Sequence, residues 1–423
     1  MQAVLDFIID NFFKNTPVLM ALIVALGLIL MKKKWDEVLK GALLAAIGMT
    51  IINLSITVLL NAVVPESTLT GISTDTSASS TSDVKFLETF GGEVGIAMFI
   101  GMILHLLIAR FTKIKTVFLT GHMLFWFPFL FVAAGVEGGL SGIPLIISAA
   151  VFSALYWSIM PWILRKYVFA VIGDESFTLG HPSGVLALIA GTVAKWVGDK
   201  SKSTEDLKLS KRLSFFREIS ITGGIVIFLL YLAIGFVYRT GLKEMGENVI
   251  FYALGKGLTF GAGLTFLLLG VRMLISQIVP AFEGISSKVV KGALPAYDAP
   301  ILFNYRPNAA IIGFLVALVT SSVVLVLCNI FHVFGTVVLI PLIVTCFFEC
   351  GAAAVIAEGQ GGLRGAIIGT AVASIVMVGL VGVAAMLFSH TVQYWMLLSG
   401  GNDFSLFGSI AVYVNKLIAL IIH

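Results

Sequence analysis

The chain has 423 residues, of which 58% are hydrophobic and 12% are charged, and its formal net charge is +4. A soluble domain carries roughly 25% charged residues, so a soluble protein of this length would lack the polar groups to cover its surface. The composition excludes soluble enzymes, nucleic-acid-binding proteins and secreted disulfide scaffolds. It predicts an all-α polytopic membrane protein, for which we expect no cofactor and no metal.

Long apolar runs follow one another along the chain. A membrane-crossing helix needs about 20 mainly apolar residues, whereas a transmembrane β-barrel would alternate apolar and polar residues. The sequence therefore predicts about 11 transmembrane helices, the first of them retained because lysines and no cleavage site follow it. The runs are Pro17–Met31, Gly41–Val64, Gly91–Ala109, Thr116–Ala134, Leu140–Leu164, Ile219–Tyr238, Val249–Ile275, Ala309–Leu327, Gly335–Ala357, Gly365–Phe388 and the shorter Ile410–Ile422.

Basic residues between the runs indicate how the helices are oriented. Cytoplasmic loops of membrane proteins carry an excess of Lys and Arg. Basic loops surround Lys33, Arg165 and Lys208. When all of them are placed in the cytoplasm, the N-terminus is external and Gly138 lies in an external loop.

This orientation divides the single membrane unit, residues 1–423, into two halves. The first half, residues 1–217, ends in a basic amphipathic arm, Asp199–Arg217, which we expect to contact anionic lipid or a cytoplasmic partner. The second half, residues 218–423, begins on the opposite side of the membrane. Antiparallel halves are typical of the inverted repeats of secondary transporters.

Polar or glycine-rich segments interrupt the helical pattern at four places. Pro65–Phe90 and Ser276–Pro307 each follow the second span of their half, and each carries an Asp beside small residues. This correspondence favours paired re-entrant hairpins at a central site over plain loops, because irregular backbone at membrane depth is stable only inside protein or beside water. Ala170–Trp196 is a third interruption. Gly359–Gly362 is either a further broken element or, as we favour slightly, a turn.

Two histidines and one aspartate stand out as candidate functional residues. His122 and His181 each follow a glycine at a break in an apolar run, and Asp298 lies two residues before Pro300, which cannot continue a helix. Ionisable groups inside a membrane are functional candidates because burying them is costly. The alternatives are packed histidines with structural partners and an Asp that caps a short helix. Zinc is a poor fit, since no HExxH motif or Cys/His cluster accompanies them.

Several stretches around these residues resemble the membrane-embedded IIC subunit of bacterial phosphotransferase systems (PTS), in particular the L-ascorbate branch, which is related to the galactitol permeases. Their order and approximate spacing cover nearly the whole chain. The stretches are Lys115–Met123, Phe177–His181, Ser203–Leu209, Gly270–Met273, Ala281–Ser286 and Arg306–Phe314.

The resemblance implies a homodimer in the bacterial cytoplasmic membrane, with a dimerising scaffold domain and a mobile core domain that moves the substrate like an elevator. A separate IIB protein, itself phosphorylated through IIA, would phosphorylate the sugar from a phosphocysteine. Asp298 is also the candidate catalytic residue. The implied substrate-binding residues are Thr76, Ser77, His122, Trp126, His181, Pro182 and Asp298.

Three of these positions depart from the ascorbate permeases that the chain resembles. Those proteins carry Tyr at position 77 and Gln at positions 126 and 182, where this chain has Ser77, Trp126 and Pro182. Because a site built on polar contacts discriminates strongly when they change, a small sugar, sugar acid or polyol with another hydroxyl pattern is favoured over ascorbate. The alternative function is an ion-coupled secondary transporter with the same elevator movement.

Overall fold

The computed structural model describes residues 15–63, 76–207, 218–237, 239–244, 246–288, 290–340 and 342–422. The chain is mostly helical. The helices of the first half are α1 (Thr16–Leu30), α2 (Trp35–Val63), α3 (Thr76–Phe111), α4 (Gly121–Glu137), α5 (Gly142–Ile172) and α6 (Gly184–Val197). The first half ends with a short 3-10 turn, Thr204–Asp206.

The second half contains both long and short helices, together with one π-helical turn at Cys346–Cys350. Its helices are α7 (Ile219–Val237), α8 (Arg239–Glu244), α9 (Val249–Lys288), α10 (Pro300–Phe303), α11 (Pro307–Ile330), α12 (Ile343–Thr345), α13 (Gly351–Leu387), α14 (Gln393–Ser399) and α15 (Asp403–Ile422). Within the described ranges, seven helices are long and apolar enough to cross a membrane. The polytopic helical prediction is confirmed, while the count of about 11 spans stays a prediction.

A short parallel sheet, which the sequence patterns did not indicate, lies among the helices. Its strands are β1 (Thr116–Phe118), β2 (Thr178–Leu179) and β3 (Leu294–Tyr297), and β3 pairs with β1 on one side and β2 on the other. The predicted span that starts at Thr116 therefore begins as a strand, and its helix starts only at Gly121. Strands of two to four residues are too short to show a period in the sequence.

Helix α5 forms hydrogen bonds with two strands of this sheet, β1 and β2. Thr116 Oγ1 donates to the carbonyl of Ser158 at 2.7 Å, and Thr178 Oγ1 donates to the carbonyl of Pro161 at 2.9 Å. Buried His105, from α3, accepts the backbone N–H of Phe118 on Nε2 at 3.0 Å, and its Nδ1 lies 2.7 Å from Ser158 Oγ. A ring nitrogen that accepts leaves the proton of a neutral imidazole on the other nitrogen, so His105 joins β1 to α5 as the Nδ1–H tautomer.

The larger helix contacts form two groups. Helices α1, α2, α7 and α9 pack on one another, and α3–α6 pack with α11, α13 and α15. Each half of the sequence thus gives its first spans to one group and the rest to the other. The predicted division at residue 217 is a boundary in sequence order, whereas packing interleaves the two halves.

Glycines allow close approach of backbones in the first of these groups. A Cβ on Gly224 would lie 2.8 Å from the carbonyl oxygen of Gly257, and a Cβ on Gly257 would lie 2.6 Å from that of Gly224. The contact between α7 and α9 therefore requires glycine on both helices. Small residues at helix interfaces are typical of membrane proteins, where packing replaces the hydrophobic driving force.

Helix α13 reverses direction at Gly361 and Gly362, whose backbone angles are not helical. A Cβ on Gly365 would lie 3.1 Å from the carbonyl oxygen of Ala357, although eight residues of straight helix advance by about 12 Å along the axis. The glycine-rich interruption is therefore a turn, as favoured from the sequence, but it is buried under residues 198–202 and does not lie on the surface.

The other interruptions have different outcomes. From Thr76 onward, the first predicted hairpin is the start of α3, while residues 64–75, with Asp75, lie outside the described residues. Helix α9 continues to Lys288, well past the predicted end of its span at Ile275, before the chain enters β3. Residues 208–217 of the basic arm also lie outside the described residues.

Candidate functional site

The three parallel strands end at the same edge of the sheet, and each is followed by a candidate residue. Asp298 directly follows β3, His181 follows β2 by two residues, and His122 lies in the first turn of α4, just after β1. Parallel strands bring the residues that follow them together, and ligands commonly bind at this edge of parallel sheets. Residues that are far apart in the sequence therefore meet here.

The distances within this cluster are short. His181 Nε2 lies 3.5 Å from Asp298 Oδ1, and His122 Nδ1 lies 3.9 Å from Asp298 Oδ2. The three side chains are largely buried, at 5–12% exposure. Asp298 Oδ1 also accepts the N–H of the next residue, Ala299, at 2.8 Å. Ala299 is the N-cap residue of α10, and no side chain caps this helix start among the described residues, so the interpretation of Asp298 as a helix cap is wrong. The structure brings His122, His181 and Asp298 together, and their role as ligand-binding residues stays a prediction.

The backbone around the histidines is held by direct bonds. Thr120, the N-cap residue of α4, donates its hydroxyl to the carbonyl of Gly180. Gly180 N–H donates to the carbonyl of Tyr297 at 2.7 Å, and a Cβ on Gly180 would lie 2.8 Å from the carbonyl oxygen of Ala296. Glycine before His181 is thus required by the close approach of β3.

A second carboxylate, Glu349, lies on the other side of His181. Its Oε2 is 3.3 Å from His181 Nδ1, and Ser183 Oγ is 3.2 Å from the same nitrogen. Glu349 is 6% exposed, and it lies in the π-helical turn Cys346–Cys350. No sequence motif assigned a function to Glu349. The available signal was that a carboxylate inside an apolar run is costly to bury and is by default a functional candidate.

A third carboxylate, Asp403, supports the same loop. Asp403 is fully buried and accepts the hydroxyl of Tyr156 on Oδ2 at 2.5 Å. Its own N–H donates to the carbonyl of Pro182 at 2.9 Å. Neither Asp403 nor Tyr156 was predicted to be a site residue, because neither lies in a sequence motif that indicates a function.

Trp126 lies one helical turn after His122, within an aromatic cluster. Its ring stacks on Trp395 with centroids 5.9 Å apart, and Phe129 meets it edge-on at 5.2 Å. One face of the indole is therefore occupied by protein. The predicted stacking of Trp126 on a sugar would have to use its other face or edge.

Two of the predicted binding residues, Thr76 and Ser77, begin helix α3, but their side chains lie outside the described residues. Pro182 is buried, and it offers only its carbonyl, which Asp403 occupies. The glutamine of related ascorbate permeases would bring an amide to this position, and proline brings none.

The cluster also has the geometry to hold a small cation. One donor atom each from His122, His181 and Asp298 lies within 4.8 Å of the others. Imidazole and carboxylate are common zinc ligands, so the geometry is more favourable to a metal than the sequence spacing suggested. The same three groups can instead donate and accept hydrogen bonds to the hydroxyl groups of a polar ligand.

Comparisons with known proteins agree with the resemblance drawn from the motifs. The sequence model of the EIIC-GAT family, described as PTS system sugar-specific permease component, matches residues 11–401. A curated relative is the ascorbate-specific PTS system EIIC component of Mycoplasma pneumoniae. It is 24% identical over 460 aligned residues, which cover 94% of this chain and 69% of the relative. The chain belongs to the sugar-specific permease components of the phosphotransferase system, which makes it a multi-pass transport subunit of the cytoplasmic membrane.

Proposed function

We propose that this permease binds a small sugar, sugar acid or polyol at the edge of the sheet, between His122, His181 and Asp298. The observation that carries the proposal is the convergence of these three largely buried polar groups after three parallel strands. Imidazole and carboxylate groups at 3.5–3.9 Å from one another present both donors and acceptors to a ligand rich in hydroxyl groups. Thr76, Ser77, Trp126 and Pro182 complete the proposed site.

The substrate that we propose differs from ascorbate in its hydroxyl pattern. The Mycoplasma relative is named ascorbate-specific. In this chain, Pro182 and Trp126 cannot offer the side-chain amides of the ascorbate permeases that it resembles. A buried site that loses amide donors disfavours the ligand that used them, because the ligand groups are left unpaired.

We further propose that transport is an elevator movement of the helix group α3–α6, α11, α13 and α15 against the group α1, α2, α7 and α9. The larger contacts lie within each group. The proposed site lies on α3, α4, the loop before α6 and the end of β3, and β3 is paired with β1 and β2. The group α3–α6, α11, α13 and α15 is then the mobile core. The group α1, α2, α7 and α9 is the scaffold through which a homodimer forms. The mass of the purified complex, measured by light scattering, tests the homodimer.

Phosphorylation by a separate IIB protein would complete the transport cycle. The transported hydroxyl group would attack the phosphorus of a phosphocysteine on IIB, and Asp298 would accept the proton of that hydroxyl. The O–P bond forms, the P–S bond breaks, and the cysteine leaves as a thiolate. The phosphorylated sugar is released into the cytoplasm because the added charge no longer fits beside Asp298.

Membrane vesicles test the proposal directly. Right-side-out vesicles are loaded with phosphoenolpyruvate, the general phosphotransferase proteins and IIA, with IIB included in one sample and omitted from the other. We expect phosphorylated sugar to accumulate only with IIB. Equal uphill uptake without IIB, driven by a sodium or proton gradient, would establish the ion-coupled alternative instead.

A pair of variants shows whether the described cluster is the site used. Asp298→Asn is expected to abolish or strongly weaken accumulation, whereas Asp174→Asn removes an exposed loop carboxylate and serves as the control. Uptake that is unchanged in Asp298→Asn would place the sugar elsewhere. Uptake that is lost on chelation and restored by Zn²⁺ would show that the cluster holds a cation.

A further inference from the structure

Asp403, the first residue of α15, makes all of its described polar contacts with the loop around His181 and with one tyrosine beside it. Its Oδ1 accepts the N–H of Val185 at 2.7 Å, and its own N–H donates to the carbonyl of Pro182 at 2.9 Å. Its Oδ2 accepts the hydroxyl of Tyr156 at 2.5 Å, and that hydroxyl oxygen lies 3.1 Å from the carbonyl oxygen of His181. These contacts connect the last helix to residues 181–185.

The bond to Val185 serves the start of helix α6. The first N–H groups of a helix have no partner within the helix, and a nearby side-chain oxygen usually accepts one of them. Ser183, the N-cap residue of α6, makes no capping bond with its side chain among the described residues. Asp403, which is 218 positions further along the chain, accepts the N–H of Val185 in its place. The position of His181, just before α6, therefore depends on α15.

The hydroxyl of Tyr156 has one hydrogen and two acceptors within reach. If Asp403 is ionised, the hydroxyl donates to the carboxylate, and the carbonyl of His181 receives no hydrogen from it. If Asp403 carries a proton, the acid donates to the tyrosine oxygen and the tyrosine donates to His181. A single proton on Asp403 thus decides whether Tyr156 is bonded to the backbone of His181.

We propose that Asp403 is a positioning residue of the binding site, which sets the place of His181 through Val185, Pro182 and the hydroxyl of Tyr156. The charged or titratable groups that face Asp403 are Tyr156 on α5, His181 in the loop and Glu349 in the π-helical turn. Asp403 contacts no ligand itself and acts through the loop. The inference deepens the proposed function and rests on it only where His181 binds the sugar.

The test uses the full-length protein in lipid nanodiscs, labelled with ¹³C,¹⁵N-histidine, so that the imidazole resonances are observed by NMR. The His181 signal is assigned by its loss in His181→Gln. We expect Asp403→Ala to shift and broaden this signal, because the loop loses all its side-chain bonds to α15. In Asp403→Asn the amide can still accept from Val185 and can donate to Tyr156, so the signal is expected to stay sharp.

The pH profile distinguishes positioning from general support of the fold. In the wild-type protein the His181 signal is expected to change with pH as the proton on Asp403 comes and goes. In Asp403→Asn and in Tyr156→Phe that part of the pH dependence is expected to be lost. Asp206→Ala removes another capping carboxylate, which accepts the N–H of Ser203 at 3.1 Å, and should leave the His181 signal unchanged.

Binding is measured in the same samples with radiolabelled L-ascorbate and galactitol as probes. For a probe that binds the wild-type protein, Asp403→Ala is expected to weaken affinity by about tenfold or more, and Asp403→Asn by less than about threefold. A His181 signal that is the same in Asp403→Ala as in the wild type would overturn the positioning role. If neither probe binds any variant, ascorbate and galactitol are excluded as substrates, and the NMR result still decides the role of Asp403.

Discussion

Replacing Gly362 by alanine should unfold the turn that reverses α13. Gly362 has φ +60° and ψ −158°, a region of backbone space that only glycine adopts without strain. A Cβ at this position would lie 2.3 Å from the carbonyl oxygen of Asp199 and 2.4 Å from that of Lys202. Both contacts are with backbone atoms, so a rotation of a side chain cannot relieve them.

The expected cost follows from these contacts. Placing a residue with a Cβ in this region costs about 1–3 kcal/mol. Moving residues 199–202 aside would also break the bonds from Leu363 N–H to the carbonyl of Lys202, at 2.7 Å, and from Asp199 N–H to the carbonyl of Gly361, at 2.9 Å. Each such bond contributes about 0.5–1.5 kcal/mol. We therefore expect Gly362→Ala to lower the free energy of unfolding by about 2–6 kcal/mol.

Gly379 provides a matched control on the same helix. A Cβ there would meet no atom within 4 Å, and alanine is favoured over glycine in a helix by up to about 1 kcal/mol. Thermal unfolding of the two variants, purified in detergent and followed by tryptophan fluorescence, gives the comparison. We expect Gly362→Ala to unfold several degrees below the wild type and Gly379→Ala to unfold at or above it. Equal unfolding temperatures for both variants would refute the buried turn.

Further expected outcomes concern the site, the sheet and the orientation. Asp298→Asn should weaken sugar binding by about ten- to a hundredfold, measured by calorimetry, since a hydrogen bond to a charged group contributes about 1.5–3 kcal/mol. His105→Ala should lower the unfolding temperature, because it leaves the buried N–H of Phe118 without its acceptor; an unchanged temperature would argue against this hydrogen bond. An impermeant thiol reagent on intact cells should label Ser141→Cys and not Lys33→Cys. Ser141 is exposed and lies in the same loop as Gly138. Gly138 itself is not replaced, because a Cβ on Gly138 would lie 2.4 Å from the Cβ of Asn415.

Local properties of the sequence were enough to predict the class of the protein and the residues of its candidate site. Low charge and long apolar runs predicted a helical membrane protein, since the hydropathy of a residue does not depend on its partners. Gly-His pairs and an Asp two residues before a proline indicated where the helices break, and His122, His181 and Asp298 lie together at those breaks. The permease family followed from motifs distributed over the chain, and the family match confirms it.

The partners of these residues were decided by tertiary structure alone. The strands β1, β2 and β3 are too short to be recognised, and they form a sheet only in the folded protein, where α5 bonds β1 and β2 and β3 pairs between them. Glu349 and Asp403 reach the His181 loop from the second half of the chain. Hydrogen bonds between residues this far apart leave no period or spacing in the sequence. The sequence therefore determined which residues break the membrane helices, and only the packing of the interleaved halves determined which groups surround them.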